Sequence, residues 1–346
     1  MNNSTGNFDP SYKNEPAYRF TSIVVPLLFA IIALLFIWYG RDKIQLNELR
    51  IITLYSFSAM EAVMEQGILP AFQAHWLEQH QERVEFITTF AGSGVITRQI
   101  MTRFPAEVAI LSSELDVRRL VSGGIINQAT WQKLRQQDKF CRSPVVIFIN
   151  ENIQTPIHGF EDIDFETMNV IIPDPLTSGE GQATGLALYG SQLRQGLSQS
   201  QALNFTMNAF ARAQNHPSTS QDALEQFHAG LGDVLINYKA AASYHQGVSE
   251  INMVYPKSTL MVEPIAVAIQ QNITPKQAEI TNDFVDFLWS EIAQQKLSEY
   301  GFQTINTSNE PEFAQASEID IFTLDSLGSA DELNRSIIDP LLTRDY

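Results

Sequence analysis

NVIIPDPLTSGEGQATGL, residues 169–186, decides how the rest of the chain is read. The apolar run Val170–Ile172 predicts a strand that Pro173 and Pro175 stop. Thr177–Gly181 then turns the chain into a helix expected from about Ala183. Such a strand–loop–helix unit points unpaired backbone N–H groups, and the positive end of the helix dipole, at one spot. Ser178 adds a hydroxyl donor there, and the glycines let an anion approach the backbone closely.

The device recurs along the chain. Glu48–Phe57 predicts a strand, with Ser58 in the N-cap position of a helix over 59–79 that Gly67 and Pro70 interrupt. Val84–Phe90 is a second strand, which runs into Ala91-Gly92-Ser93-Gly94 and a helix. Glu107–Leu111 is a third, followed by a helix from Ser113 that ends at a glycine pair. Strands at Ser143–Asn150, at 234–238 and at Glu263–Ile269 follow, with helices over 199–214 and 221–229 and one long helix from Thr274-Pro275 to about Gly301. This alternation predicts an α/β fold, a mostly parallel sheet with helices on both faces. Ser58, Ser93, Ser178 and the group Ser218-Thr219-Ser220 all sit where a strand hands over to a helix, the end of an open sheet at which ligands bind. Tyr238, closing VLINY, adds a phenol. Several neutral donors on one dry point hold a desolvated oxyanion, each bond to the charged group contributing ~1.5–3 kcal/mol.

Composition narrows the function further. The 346 residues allow about two domains, and a net charge of −17 argues against a nucleic-acid partner. The single cysteine, Cys141, excludes an intrachain disulfide. His75, His80, His158, His216, His228 and His245 show no metal-ligand spacing, and TSGEGQAT lacks the lysine of a phosphate-binding loop. AGSG has no placed base. No enzyme, metal or cofactor is expected. The uncharged run Phe20–Tyr39 is long enough to cross a bilayer, with Trp38 and Tyr39 suited to the interface. It predicts a retained single-pass anchor over 20–40 behind a disordered segment, 1–19; basic residues flank both ends of the run alike, so charge does not give its orientation.

LYSFSAMEAVMEQGILPAFQAHW (54–76), FAGSGVITRQI (90–100), SPVVIFINE (143–151), GDVLINY (232–238), VEPIAVAI (262–269) and IFTLD (321–325), in that order, resemble the sulfate/thiosulfate-binding proteins of bacterial ABC importers. The resemblance implies a two-lobed periplasmic-binding-protein type II fold with an oxyanion in the cleft and ABC permease subunits as partners. It implies one lobe from 46–142 plus 262–326, a second from 143–261, and a tail from 327–346, with crossings near Ser143–Asn150 and Met261–Ile269. Only 319–327 of the acidic C-terminal stretch is expected to dock. By position, Ser93, Ser178 and Gly179 match the family's ligand-contacting serines and first loop glycine, and Thr219 falls near a backbone donor. Ser58 stands for the family's aspartate, Tyr238 for its cleft tryptophan and Glu180 for its second loop glycine. Ser58 and Tyr238 look more like molybdate-binding proteins. A carboxylate at 180 repels sulfate and molybdate but accepts a proton from phosphate or arsenate. A second reading is an anchored sensor or scaffold that keeps the fold without transport.

Overall fold

β1, Leu49–Phe57, is the strand on which the first sheet forms. It pairs in parallel with β2 (Arg83–Ala91) on one side and β3 (Val108–Leu111) on the other. In this computed structural model, which describes residues 30–35, 49–134, 139–241, 252–305 and 319–343, the sheet order is β2-β1-β3-β9, with β9 (Ile265–Ala268) antiparallel to β3. All four residues of β3 are buried, as a strand covered on both faces requires, whereas the edge strand β2 buries only Val84 fully. Phe72, on the helix Leu69–His80, meets Phe284 and Phe287 edge-on at centroid distances of 5.1 and 5.4 Å. These contacts fix the helix Ala278–Phe287 to the sheet, each pair adding ~0.5–1.5 kcal/mol beyond its buried area.

The second sheet forms around β4, Cys141–Ile149, whose residues Ser143–Ile149 are all buried. β6 (Val234–Tyr238) and β8 (Ser258–Val262) both run antiparallel to it. β5 (Val170–Ile171) joins β6 and β11 (Asp320–Phe322) joins β8, giving the order β11-β8-β4-β6-β5. β7 (Asn252–Val254) and β10 (Gln303–Thr304) also pair with β4. This sheet is mixed rather than mostly parallel. The chain passes from the first sheet to the second between β3 and β4 and returns between β8 and β9, so outgoing and returning strands lie antiparallel, with Ser143 opposite Val262. Glu263 ties the two passages together by accepting from Lys139 Nζ at 2.5 Å and Arg142 Nε at 3.0 Å.

Three helices differ from expectation. The helix after the key loop starts at Gly179, not near Ala183, because Ser178 Oγ takes the Glu180 and Gly181 amides and caps it at once. The segment 58–80 stays continuous through Gly67 by widening to a π-helical turn over Met64–Ile68. The long helix expected over 274–301 is two, Ala278–Phe287 and Glu291–Glu299, since Ser290 turns extended and caps the Ala293 amide at 3.2 Å.

Docking of the C-terminal stretch extends past 327. Residues 330–343 are helical, and Leu333, Ile337, Ile338 and Leu341 are buried, the last filling the space left by the absent side chain of Gly185. Of the expected anchor, only 30–35 is described, helical and exposed; the rest of 20–40 lies outside the described residues, as does 1–19. Among the described residues no helix is long and apolar enough to cross a membrane.

Gly190 tests the packing. A Cβ there meets the rigid Phe322 ring and, at 3.0 Å, Leu327 Cδ2. Gly190→Ala is expected to destabilise the fold by about 1–3 kcal/mol in equilibrium urea denaturation; an unchanged midpoint rules out this account of how the tail docks.

Candidate functional site

Asp116 sits at the centre of the first sheet's contribution. It lies in the first turn of the helix Glu114–Ser122 and is fully buried. Ser93 Oγ donates to its Oδ2 at 2.5 Å, Ser112 Oγ to the same oxygen at 3.1 Å, and Arg119 Nη1 to Oδ1 at 3.1 Å. Ser93 Oγ also accepts from the Ser112 amide at 3.1 Å. The turn after β2 and the end of β3 are thereby fixed to one carboxylate.

The second sheet meets this group at Gly179. A side chain there collides with Ser112 Oγ and comes within 2.9 Å of Ser93 Cβ, so only a glycine lets the helix Gly179–Arg194 start this close. Gly92 does the same for the opposite turn: a Cβ added there would collide with the Thr177 carbonyl and come within 3.0 Å of the Ser218 carbonyl oxygen. The expectation that these glycines admit an anion is thus only part of their role: they admit each other's backbone. The Val95 amide donates to Thr177 O at 3.3 Å, Arg98 Nη1 to Leu176 O at 2.6 Å, and Thr177 Oγ1 to Ser218 O at 2.9 Å.

Ser93, Ser178, Gly179 and Tyr238 are brought together in this way. Ser178 Oγ donates to Glu180 Oε2 at 2.6 Å. Glu180 is fully buried, and its Oε1 has no partner among the described residues. Tyr238 Oη is likewise buried and has no partner in hydrogen-bond geometry, although the Ser112 side chain lies close enough to favour the ionised phenol; Glu180 and Asp116 are its acidic neighbours. Asn237 holds the helix Ser220–His228 in place: Ser220 Oγ donates to its Oδ1 at 2.9 Å, and the Tyr238 amide donates to the same atom at 2.8 Å. Thr219 is half-buried and caps that helix by accepting from the Asp222 amide at 3.0 Å. Ser58, in the turn Ser58–Met60 that packs against the same helix, is buried with an unpartnered Oγ.

Sequence reasoning missed Asp116, Ser112 and Asn237. SSELDVRR offers Asp116 only as an acidic residue suited to a helix start, and nothing local marks the approach of Ser93 from another turn. Two carboxyl groups therefore stand among hydroxyls expected to serve an anion. Among the described residues no group of three or more His, Cys, Asp or Glu is placed to hold a metal ion.

Burial raises the Glu180 carboxyl from 4.5 to about 7; the Ser178 hydrogen bond opposes the shift and Asp116 adds to it. Burial, then Glu180 and Asp116, push the Tyr238 phenol well above its ordinary value. A Glu that holds its proton more tightly when folded favours the folded state below pH 4.5. That contribution is lost as pH rises through about 7, and it amounts to roughly 3 kcal/mol at ~1.4 kcal/mol per pH unit. Thermal melts of the wild type are expected to fall relative to Glu180→Gln across this window and to run parallel above it. Curves that stay parallel throughout refute the assignment.

The sequence profile of the bacterial extracellular solute-binding proteins matches residues 52–303. A sulfate-binding protein of Synechococcus elongatus is 28% identical over 257 residues, covering 73% of this chain and 72% of its own. A thiosulfate-binding protein of Pseudomonas aeruginosa is 23% identical over 231 residues, 65% of this chain and 70% of its own. The fold is shared with the sulfate-binding protein SubI from Mycobacterium tuberculosis, at a TM-score of 0.70 and 22% identity over 83% of this chain and 99% of that one. With about three quarters of its length matched in order, the chain belongs to the bacterial extracellular solute-binding protein family.

Proposed function

We propose that this protein captures a small oxyanion outside the cytoplasm and delivers it to an ABC importer, with Ser58, Ser93, Ser178, Gly179, Thr219 and Tyr238 forming or bordering the site. It does no chemistry on the ligand. The observation that carries the reading is a pair of buried hydroxyls with no partner among the described residues: Tyr238 Oη, beside Glu180 at the start of the sixteen-residue helix Gly179–Arg194, and Ser58 Oγ, in a turn packed on the helix Ser220–His228. Left unpaired, each buried hydroxyl costs about 1–3 kcal/mol; an anion between them recovers that cost. The sulfate- and thiosulfate-binding relatives support an oxyanion of that size. The lobes implied by the resemblance, 46–142 plus 262–326 against 143–261 with a tail from 327, are then the pair of bodies that part to admit the ligand, since Ser93, Ser178 and Glu180 are fully buried.

The two orphaned hydroxyls give a test with opposite signs. Ser58→Ala and Tyr238→Phe are expected to leave the thermal midpoint unchanged or higher, and to weaken anion binding about 10-fold or more each in calorimetric titrations with sulfate, thiosulfate, molybdate and phosphate. Loss of stability without loss of binding rejects the assignment. Binding of none of the four anions favours the anchored sensor or scaffold.

The anchor is part of the proposal. Phe20–Tyr39 carries no charge, and its described part, 30–35, is an exposed helical turn of Ala30, Ile31, Ile32, Ala33, Leu34 and Leu35. The full chain is expected to stay with membranes through alkaline carbonate extraction, whereas a chain beginning at Arg41 is released; release of both removes the anchor from the reading.

A further inference from the structure

We propose that Glu180 makes the site require one proton at its contact with the ligand, so that an oxyanion carrying its own O–H, of the hydrogenphosphate class, binds outright while a fully ionised one such as sulfate binds only when Glu180 is protonated. The inference rests on the oxyanion reading of this site and deepens it.

The argument is a matching of donors and acceptors. Each hydroxyl has one proton to give. That of Ser178 goes to Glu180 Oε2 and that of Ser93 to Asp116 Oδ2, so neither serine has a hydrogen left for a ligand in this arrangement. Ser58 Oγ and Tyr238 Oη keep theirs. Against these two donors stands one bare acceptor, Glu180 Oε1, at the start of the helix Gly179–Arg194 and without access to water. A sulfate oxygen set against that atom brings two lone pairs together in a dry site, whereas the O–H of a hydrogenphosphate makes a charge-assisted bond.

The charged and titratable groups facing Glu180 strengthen the requirement. Asp116, on the helix Glu114–Ser122, adds a second carboxylate, and Tyr238 on β6 is a neutral phenol. Arg119, the cation bonded into this network, spends its guanidinium on Asp116 Oδ1, Gln182 Oε1 and Asn334 Oδ1, not on Glu180. No cation among these groups offsets a like-charge contact. The raised Glu180 carboxyl, near 7, places the switch within the range of ordinary buffers.

The test is titration calorimetry of the full-length chain with sodium sulfate and with sodium phosphate at pH ~6 and pH ~9. With one proton taken up and a group titrating at about 7, sulfate affinity is expected to fall about 100-fold across that interval, and phosphate affinity by less than about 10-fold. In Glu180→Gln, whose amide both donates and accepts, the sulfate profile is expected to be flat, with circular dichroism confirming the fold. The wild-type profiles decide the matter even if that variant does not fold. Sulfate binding that is tight and independent of pH in the wild type overturns the inference and leaves the oxyanion reading standing. Failure of both ions to bind at either pH overturns the reading and the inference together.

Discussion

A carboxylate without water must be supplied with hydrogen bonds, and Asp116 imposes that demand on everything around it. Its three donors come from the turn after β2, the end of β3 and its own helix. Removing one leaves a buried charge short of a partner, which costs more than the bond itself is worth. The position of Ser93 is therefore set by Asp116 before any ligand is considered. Gly179 then fits into the slot between Ser112 and Ser93, which a methyl group already closes. The place where the two sheets meet follows from one buried acid and one missing side chain.

The net charge of −17 gives little guidance to such a site. Surface charges are screened over about 8 Å at physiological ionic strength, while groups in the dry interior act at nearly full strength. On the proposed reading, an incoming anion meets Ser58, Tyr238, the start of a helix and two carboxyl groups. The carboxyl groups differ in how they are satisfied. Asp116 has donors on both oxygens, one of them an arginine, whereas Glu180 has a single hydroxyl on one oxygen and nothing on the other. The more poorly satisfied acid is the one to which the proposed proton requirement falls.

The strand ends were legible in the sequence because each rests on local rules. Apolar runs and proline stops announce β1, β2, β3, β5 and β6 within a residue or two, and with them the positions of Ser58, Ser93, Ser178 and Tyr238, although Ser58 does not take the N-cap place expected of it and, of the three serines, only Ser178 caps its helix through its hydroxyl. Asp116 and Ser112 were not legible, since their role comes from contacts some twenty residues away in sequence. The break at Ser290 carried a local signal, a serine before an acidic residue, that the strong apolar periodicity around it outweighed. The mixed second sheet depends on which way the chain re-enters after a crossing, and no window of sequence encodes that.

The contacts across the seam also indicate where it can open. The Val95–Thr177 and Arg98–Leu176 bonds are a backbone pair at 3.3 Å and an exposed side chain, each worth about 1 kcal/mol. The Asp116 cluster lies wholly on one side and need not break. Glu263, bonded to both Lys139 and Arg142, holds the two passages together at the opposite end. The C-terminal stretch complicates this division. Leu341 packs into the helix Gly179–Arg194, while Asp331 accepts from Arg118 at 2.7 Å and Asn334 from Arg119 at 3.2 Å. Apolar burial anchors it to the second sheet's helix, and the bonds from Arg118 and Arg119 tie it to the first sheet's. Any movement that uncovers Ser93 by swinging those helices apart must release the polar contacts first, so the tail sets part of the cost of opening through the same arginine that holds Asp116.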